Sequence, residues 1–175
     1  MEELPHFRYN PDALKYGIIK KETITCPVCS EVREYVYDGP FFAVEDIDGI
    51  CPWCIHDGSA AIQYNGEFID AASVEDVEDD EKLEELTQHT PCYSGWQQEK
   101  WLSHCDDFCA FKGYVGWKEI IPFKEELADD LQQVMDDFDI SEEELKENLV
   151  NGSGMQGYLF QCLHCGKHRL HVDIE

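Results

Sequence analysis

Three Cys-x-x-Cys pairs constrain this chain more than any other feature: Cys26-Pro27-Val28-Cys29, Cys51-Pro52-Trp53-Cys54 and Cys162-Leu163-His164-Cys165. In each, two thiolates can turn toward one ion within a single tight turn, and two such pairs satisfy tetrahedral Zn²⁺ with four soft ligands. Cys26/Cys29 and Cys51/Cys54 are separated by 21 residues, close to zinc-ribbon spacing. A redox motif needs only one such pair, at a helix start, so two well-spaced pairs favour a structural Zn²⁺ held by Cys26, Cys29, Cys51 and Cys54.

A second Zn²⁺ is expected on Cys105, Cys109, Cys162 and Cys165. Cys105 and Cys109 are four residues apart and would share one face of a helix. His104, His164 and Cys92 are rival ligands. The plainer reading of Cys105 and Cys109 is small buried core residues, and Cys92 reads that way too.

The first and third pairs sit in similar surroundings. Ile24-Thr25-Cys26 leads through its turn into Val32-Arg33-Glu34-Tyr35-Val36-Tyr37, and Phe160-Gln161-Cys162 leads into His168-Arg169-Leu170-His171-Val172-Asp173. Each is a strand, a metal-binding turn and an alternating strand. The partner pair follows the first hairpin and precedes the second, a permuted arrangement. The expected fold class is α+β, with two treble-clef-like zinc-knuckle hairpins packed with intervening helices. Residues 1–72 form the first zinc-binding region, 73–90 an acidic linker, and 91–175 a helical region carrying the second knuckle, in one compact unit with the first.

Along the chain, Pro5 to Asp12 reads as an extended entry, because two prolines oppose a helix. Strands are expected over 22–26 and 32–38, with a turn at Asp38-Gly39-Pro40 and a short strand at Phe41–Val44. A helix opens at Cys51 and runs through Ile62, its positive end toward the thiolates. Ser94, with Gln97 three residues on, reads as the capping box of a helix that continues through Cys105 and Cys109. That helix would turn Trp96, Trp101 and Leu102 to the core. Leu127, Leu131, Val134 and Phe138 form one helical stripe. Ser141 and Glu144 cap a further helix with Leu145 and Leu149 inward, ending at Asn151-Gly152-Ser153-Gly154.

The charge is the second constraint. There are 38 acidic residues against 13 Lys and Arg, a formal −25. With 43% apolar residues and 12% aromatics, the chain has too much burial material for a disordered acidic tail. Such a charge argues against general nucleic-acid binding and against an anionic membrane surface. Two segments hold most of it: residues 67–85, which read as an exposed linker or weak helix, carry −9, and residues 119–147 carry −10. Eight thiolates with two Zn²⁺ would take the folded protein to about −29. The N-terminus, Met1 to Tyr9, has no basic or apolar leader character. No stretch reaches the length of a membrane span, so a cytoplasmic protein is expected.

Several motifs together resemble the CbrC family of bacterial proteins, over nearly the whole chain. They are Pro5-His6-Phe7-Arg8-Tyr9-Asn10-Pro11, Cys26-x-x-Cys29, Gly39-Pro40-Phe41-Phe42, Ile50 through Ala61, Gly95-Trp96-Gln97-Gln98-Glu99, Trp101-Leu102-Ser103-His104-Cys105, Gly113-Tyr114-Val115-Gly116 and Cys162-Leu163-His164-Cys165-Gly166. The founding member of that family is associated with tolerance to nuclease-type colicins. The resemblance implies a bacterial cytosolic protein linked to toxin tolerance or immunity.

The function expected is therefore a zinc-stabilised acidic binding protein for a basic protein partner such as a nuclease-type toxin domain. The partner-binding candidates are Asp129, Asp130, Asp136, Asp137, Glu142 and Glu143. Charge runs are also simply solvated faces. The enzyme alternative is a zinc-dependent hydrolase using His56 or His104, yet the chain has no HExxH, P-loop, GxSxG or Rossmann motif, and no enzyme is expected. The third reading is a zinc-finger nucleic-acid binder using Lys20, Lys21, Arg33, Lys167, His168 and Arg169, patches that the acids outweigh.

Overall fold

The computed structural model describes residues 3–175; Met1 and Glu2, which belong to the N-terminal reading above, lie outside them. Two antiparallel sheets organise the chain. The first is a hairpin of β1 (Ile19–Thr25) and β2 (Val32–Tyr37). The second has three strands in the order β3–β4–β5, from Ala110–Val115, Met155–Gln161 and His168–Ile174. Between the two sheets lie α1 (Pro52–His56), α2 (Ser59–Tyr64) and α3 (Asp80–His89); α4 (Trp117–Ile120), α5 (Ala128–Phe138) and α6 (Glu142–Asn148) connect β3 to β4. The class is mixed α+β with two knuckle hairpins, as expected.

The three-stranded sheet separates two cores, because side chains alternate across the pleat. Tyr158 and Phe160 of β4 face an aromatic core with Tyr9, Tyr93, Trp101, Phe108 and Phe111, and this core continues to Cys26, Cys51 and Cys54. Tyr93 stacks on Phe111 with ring centres 4.8 Å apart. On the other face Leu159, Leu170 and Val172 meet Ile120, Leu127, Leu131, Val134, Leu145 and Leu149 from the helices. The α5 stripe is thus the one expected, and α6 begins with the expected capping box, Ser141 Oγ accepting from Glu144 N–H at 3.2 Å.

The two knuckles share one hydrogen-bond pattern. Cys26 N–H donates to Glu31 O at 3.0 Å and Ser30 N–H to Cys26 O at 2.9 Å; Cys162 N–H donates to Lys167 O at 2.8 Å and Gly166 N–H to Cys162 O at 3.1 Å. Ser30 and Gly166 occupy the same place in the turn, with φ of +60° and +75°. Serine there carries a Cβ penalty that glycine avoids. Ser30→Gly is expected to raise stability by up to about 1 kcal/mol, read as an upward shift in a denaturant midpoint; a decrease would show that this turn is not strained.

Three expectations differ from the structure. The helix from Cys51 to Ile62 is broken into α1 and α2 at Gly58, whose φ is +77° and whose Cβ would lie 2.5 Å from the His89 ring. The Phe41–Val44 strand reduces to one bridge, Phe42 with Glu67. The acidic stretch carries the helix α3, in keeping with the weak-helix reading; α3 buries Leu86 completely, and Val74 pairs with Trp101. The helix starting at Ser94 does not form. Residues 94–109 run as loops and single bridges; Trp101 and Leu102 are buried, but Trp96 is 49% exposed.

Candidate metal centre

The first ligand group is Cys26, Cys29, Cys51 and Cys54, with all four Sγ atoms within 4.8 Å of one another. The β1–β2 turn supplies Cys26 and Cys29. Cys51 is the N-cap of α1, with Pro52 in its first turn, and Cys54 lies one turn on. Cys26 Sγ stands 3.9 Å from Cys54 Sγ, and Cys29 Sγ 4.0 Å from Cys51 Sγ. Sulfurs each about 2.3 Å from a tetrahedral ion stand about 3.8 Å apart, so the group has the right size. Cys51 N–H donates to Cys26 Sγ at 3.4 Å. The Cys26 thiol is pulled down to about 4, first by its side-chain hydrogen bond with Cys51 and then by backbone N–H groups, against the effect of burial. Cys51 is pushed up as the other half of that pair. Burial pushes the Cys54 thiol up to about 11, so Cys26 is the thiol of this group that its surroundings hold as a thiolate.

The second group is His104, Cys105, Cys162 and Cys165, again within 4.8 Å. His104 Nδ1 lies 3.2 Å from Cys105 Sγ and 3.3 Å from Cys165 Sγ. A mixed N/S tetrahedron predicts about 3.5 Å for that edge. His104 and Cys105 come from a tight hairpin. Ser103 bridges Phe108, His104 N–H donates to Asp107 O at 2.9 Å, and Cys105 and Asp106 both have φ of +55°. Two successive positive φ values are the signature of a type I′ turn. Each group can hold one metal ion.

Cys109 is not in the second group. With no helix over 105–109, the spacing that placed it beside Cys105 does not apply. Cys109 is fully buried, its N–H donates to Leu102 O, and its carbonyl accepts from the Trp101 indole at 2.9 Å. Burial pushes its thiol up to about 12, as for a core cysteine. His104, one of the rival ligands, takes the fourth position. Cys92 is buried away from both groups. The ligand sets give a direct expectation: Cys109→Ala should leave the metal content per chain unchanged, whereas His104→Ala or Cys105→Ser should lower it by one equivalent. Elemental analysis reads the result, and loss of metal from Cys109→Ala would restore the four-cysteine set.

His164, the other rival histidine, turns to a buried carboxylate instead. Its Nε2 lies 2.8 Å from Asp107 Oδ2. Asp107 is completely buried and also accepts from Tyr9 OH at 2.8 Å, from its neighbour Phe108 N–H at 2.9 Å, and from Arg8. Burial alone would raise its carboxyl; the bonds from His164 and Tyr9 and the charges of Arg8 and Lys82 outweigh it and hold the group below the usual range. This cluster ties the N-terminal segment to the second knuckle. Sequence reasoning missed it, although Arg8-Tyr9 and Asp107 all lie in or beside motifs that drew attention.

Acid–base pairs that could be drawn from His56 with Asp57, or from His104 with Asp107, do not come together. Asp57 binds Ser59 N–H at 2.9 Å and Ser59 Oγ at 2.6 Å, while His56 packs edge-on against Phe7. His104 faces sulfur, and its neighbour Asp107 serves His164.

Two of the six acids expected to meet a partner are already engaged. Asp130 forms a two-point pair with Arg169 and accepts Leu170 N–H at 2.9 Å. Glu142 pairs with Lys124 and Lys146. Asp130 and Glu126 in fact cover the outer edge of β5, since Glu126 accepts His168 N–H at 2.8 Å, a device that blunts an open strand. Asp129, Asp136, Asp137 and Glu143 remain exposed. The basic candidates are also largely committed: Lys20 to Asp38, His168 to Glu126, Arg169 to Glu75 and Asp130, and Arg33 over the Trp53 ring. Among the described residues no helix is long and apolar enough to cross a membrane.

A UPF0167 protein of Mycobacterium bovis (Mb2317) is 39% identical, covering 99% of this chain and 95% of its own length. A UPF0167 protein of Pseudomonas aeruginosa (PA1536) is 38% identical, covering 98% and 97%. No solved structure matched. The uncharacterised protein family UPF0167 matches residues 4–174, and the chain therefore belongs to that family.

Proposed function

We propose that this chain is a zinc-stabilised acidic protein that acts by binding a basic protein partner, and that it is not an enzyme. The observation that carries the partner is the exposed face of α5. Among the described residues, Asp136 and Asp137 accept only from Gln132 and Gln133, one turn back, at 2.9 and 2.7 Å, and pair with no cation. Zn²⁺ is the ion that suits the two ligand groups, because sulfur-rich tetrahedral sets select it over oxygen-seeking ions. Seven thiolates and two Zn²⁺ shift the formal −25 to about −28, one unit less negative than eight thiolates would. Four protein ligands at each ion leave no open position for a substrate, which favours structural over catalytic roles.

A folded domain of that charge creates a field that gathers cationic surfaces and speeds their encounter. Nuclease toxins carry basic clefts for phosphate, and the CbrC resemblance supports that class of partner. Binding to isolated basic nuclease domains, followed by surface plasmon resonance, is expected to show association at least about tenfold slower at 500 mM than at 50 mM salt. Asp136→Asn with Asp137→Asn should slow it further. Absence of binding to every such domain at 50 mM salt would reject the reading.

A further inference from the structure

The Gly95–Glu99 motif takes no part in either ligand group, yet the fold invests heavily in it. Trp96 N–H donates to Asp173 Oδ2 at 3.0 Å and lies 3.2 Å from Tyr158 OH; Gln97 N–H donates to the same Asp173 oxygen at 3.0 Å. The Trp96 indole N–H donates to Ser153 O at 3.1 Å, and Ser94 N–H to Tyr114 OH at 3.2 Å. Asp173 is buried and held in turn by Tyr158 OH at 2.7 Å. Gly95 is needed, since a Cβ there would stand 3.0 Å from both Asp173 Oδ2 and Gln97 O. This clamp does not bury the tryptophan. It fixes a large aromatic side chain at the surface, the opposite of what apolar burial alone would select.

Beside Trp96 is a cleft of about 590 Å³ walled by Tyr16, Tyr114 and Tyr158, with Asn151 and Gln156 among its polar residues. Among the described residues no charged side chain lines it. Four features narrow the occupant. The lining has no His, Cys, Asp or Glu, so it does not suit a metal ion. It has no Lys or Arg, and the protein's net charge repels anions, so it does not suit phosphate or an acid. Aromatic faces attract cations, and a strongly negative protein concentrates them. One of these rings already receives a cation within the chain: Lys15 Nζ stands 5.1 Å above the Tyr16 ring.

We propose that this cleft is the anchor pocket for an arginine side chain of the basic protein partner, its guanidinium stacked on the exposed Trp96 ring. The inference rests on the basic-partner reading and gives it a place. A planar guanidinium stacks on aromatic rings where an ammonium does not, and it is more weakly hydrated, so it enters such a cleft at lower cost. Rigid Trp and Tyr paired with Arg are the residues that carry most binding energy at protein interfaces. The exposed acids of α5 would then set the rate of encounter, and the aromatic cleft the lifetime of the complex.

The test is an NMR titration of the full-length, zinc-loaded protein with the peptide Ac-(Gly-Arg)₃-NH₂, its lysine counterpart and methyl glucoside, following the Trp96 indole N–H. The arginine peptide is expected to shift that resonance saturably and to bind more tightly than the lysine peptide. Trp96→Phe should keep most of the affinity, and Trp96→Leu should lose about five- to thirtyfold. In the wild type, a spin label on the arginine peptide should broaden the Tyr114 and Asn151 amides, a readout that needs no variant. A Trp96 resonance that moves with glucoside and not with the arginine peptide would make the cleft a site for neutral rings and overturn the inference. So would arginine-peptide binding that is unchanged in Trp96→Leu and lost in Asp136→Asn/Asp137→Asn, although the basic-partner reading would then stand. Absence of any arginine-peptide binding, with basic nuclease domains also failing to bind, would overturn both.

Discussion

Stripping metal with a strong chelator, or replacing Cys26 by serine, is expected to unfold at least the N-terminal part of the chain. The elements there cannot stand alone. β1 and β2 form a lone two-stranded hairpin, marginal in water by itself. α1 and α2 have five and six residues, well short of an independently stable helix. They meet around the first ligand group, whose Cys26, Cys51 and Cys54 share one core with Tyr37 of β2, Ile55 of α1 and Ala60 of α2. Binding of a structural Zn²⁺ contributes about 10–16 kcal/mol, comparable with the entire stability of a domain, about 5–15 kcal/mol. Loss of near-UV circular dichroism and a melting temperature lower by at least about 10 °C should follow. A melting curve unchanged by both treatments would refute a structural metal.

The second large effect is expected at Arg169. Its guanidinium meets Asp130 at 3.0 Å, Glu75 at 3.0 and 3.1 Å, and Ser103 O at 2.6 Å. It thereby fastens β5 to α5 and to the loops that carry Glu75 and the His104 hairpin. Arg169→Met removes the cation and leaves two carboxylates facing each other. Breaking a buried pair by removing one partner costs about 3–5 kcal/mol. Here the side chains stay 20%, 26% and 14% exposed for Arg169, Glu75 and Asp130, so the lower end, about 3 kcal/mol, is expected. Arg169→Lys should restore little, since one ammonium cannot span both forks. Burial would raise the Glu75 carboxyl, but Arg169 and the Ser103 N–H hold it below the usual range. A depressed carboxyl contributes stability above its unfolded value and loses it as pH falls through the folded one. The gap between wild type and Arg169→Met in urea should therefore be widest near pH 7 and narrow below about pH 4. A gap under 1 kcal/mol at pH 7, or one independent of pH, would show that the network is a surface decoration.

The parts of this fold that were legible in the sequence are those governed by local rules. Cys-x-x-Cys turns, alternating strands, the Leu127–Val134 stripe and the Ser141–Glu144 box each need only a few neighbouring residues, and the whole first ligand group follows from such rules. The region from Ser94 to Cys109 misled for a definite reason. Ser94 and Gln97 have the spacing of a helix cap, but the amides that a helix would use are taken by Asp173, which is 76 residues from Gln97. A hairpin turn built on Cys105-Asp106 lacks the glycine that usually marks one. Once that turn is known, adjacent His104 and Cys105 can reach one ion, which neighbouring residues on a helix cannot. Arg169 read as a basic candidate because nothing local announces Glu75, 94 residues away. Long-range pairing also explains the acids: a run that is uniform in sequence divides in three dimensions into residues that cap, residues that pair and residues left for solvent.

The permuted order of the two ligand sets has a consequence for how the chain is made. The first group is complete within 29 positions, from Cys26 to Cys54, while the second waits for Cys165, 61 residues beyond His104. During synthesis the first ion can be captured while most of the chain is still on the ribosome, giving the emerging hairpin something to fold around. The second can be captured only at the end, and by then a longer loop must close. If both groups bind metal, one ion would start assembly and the other end it, so that a chain interrupted anywhere between residues 54 and 165 would keep the first ligand group and lack the second.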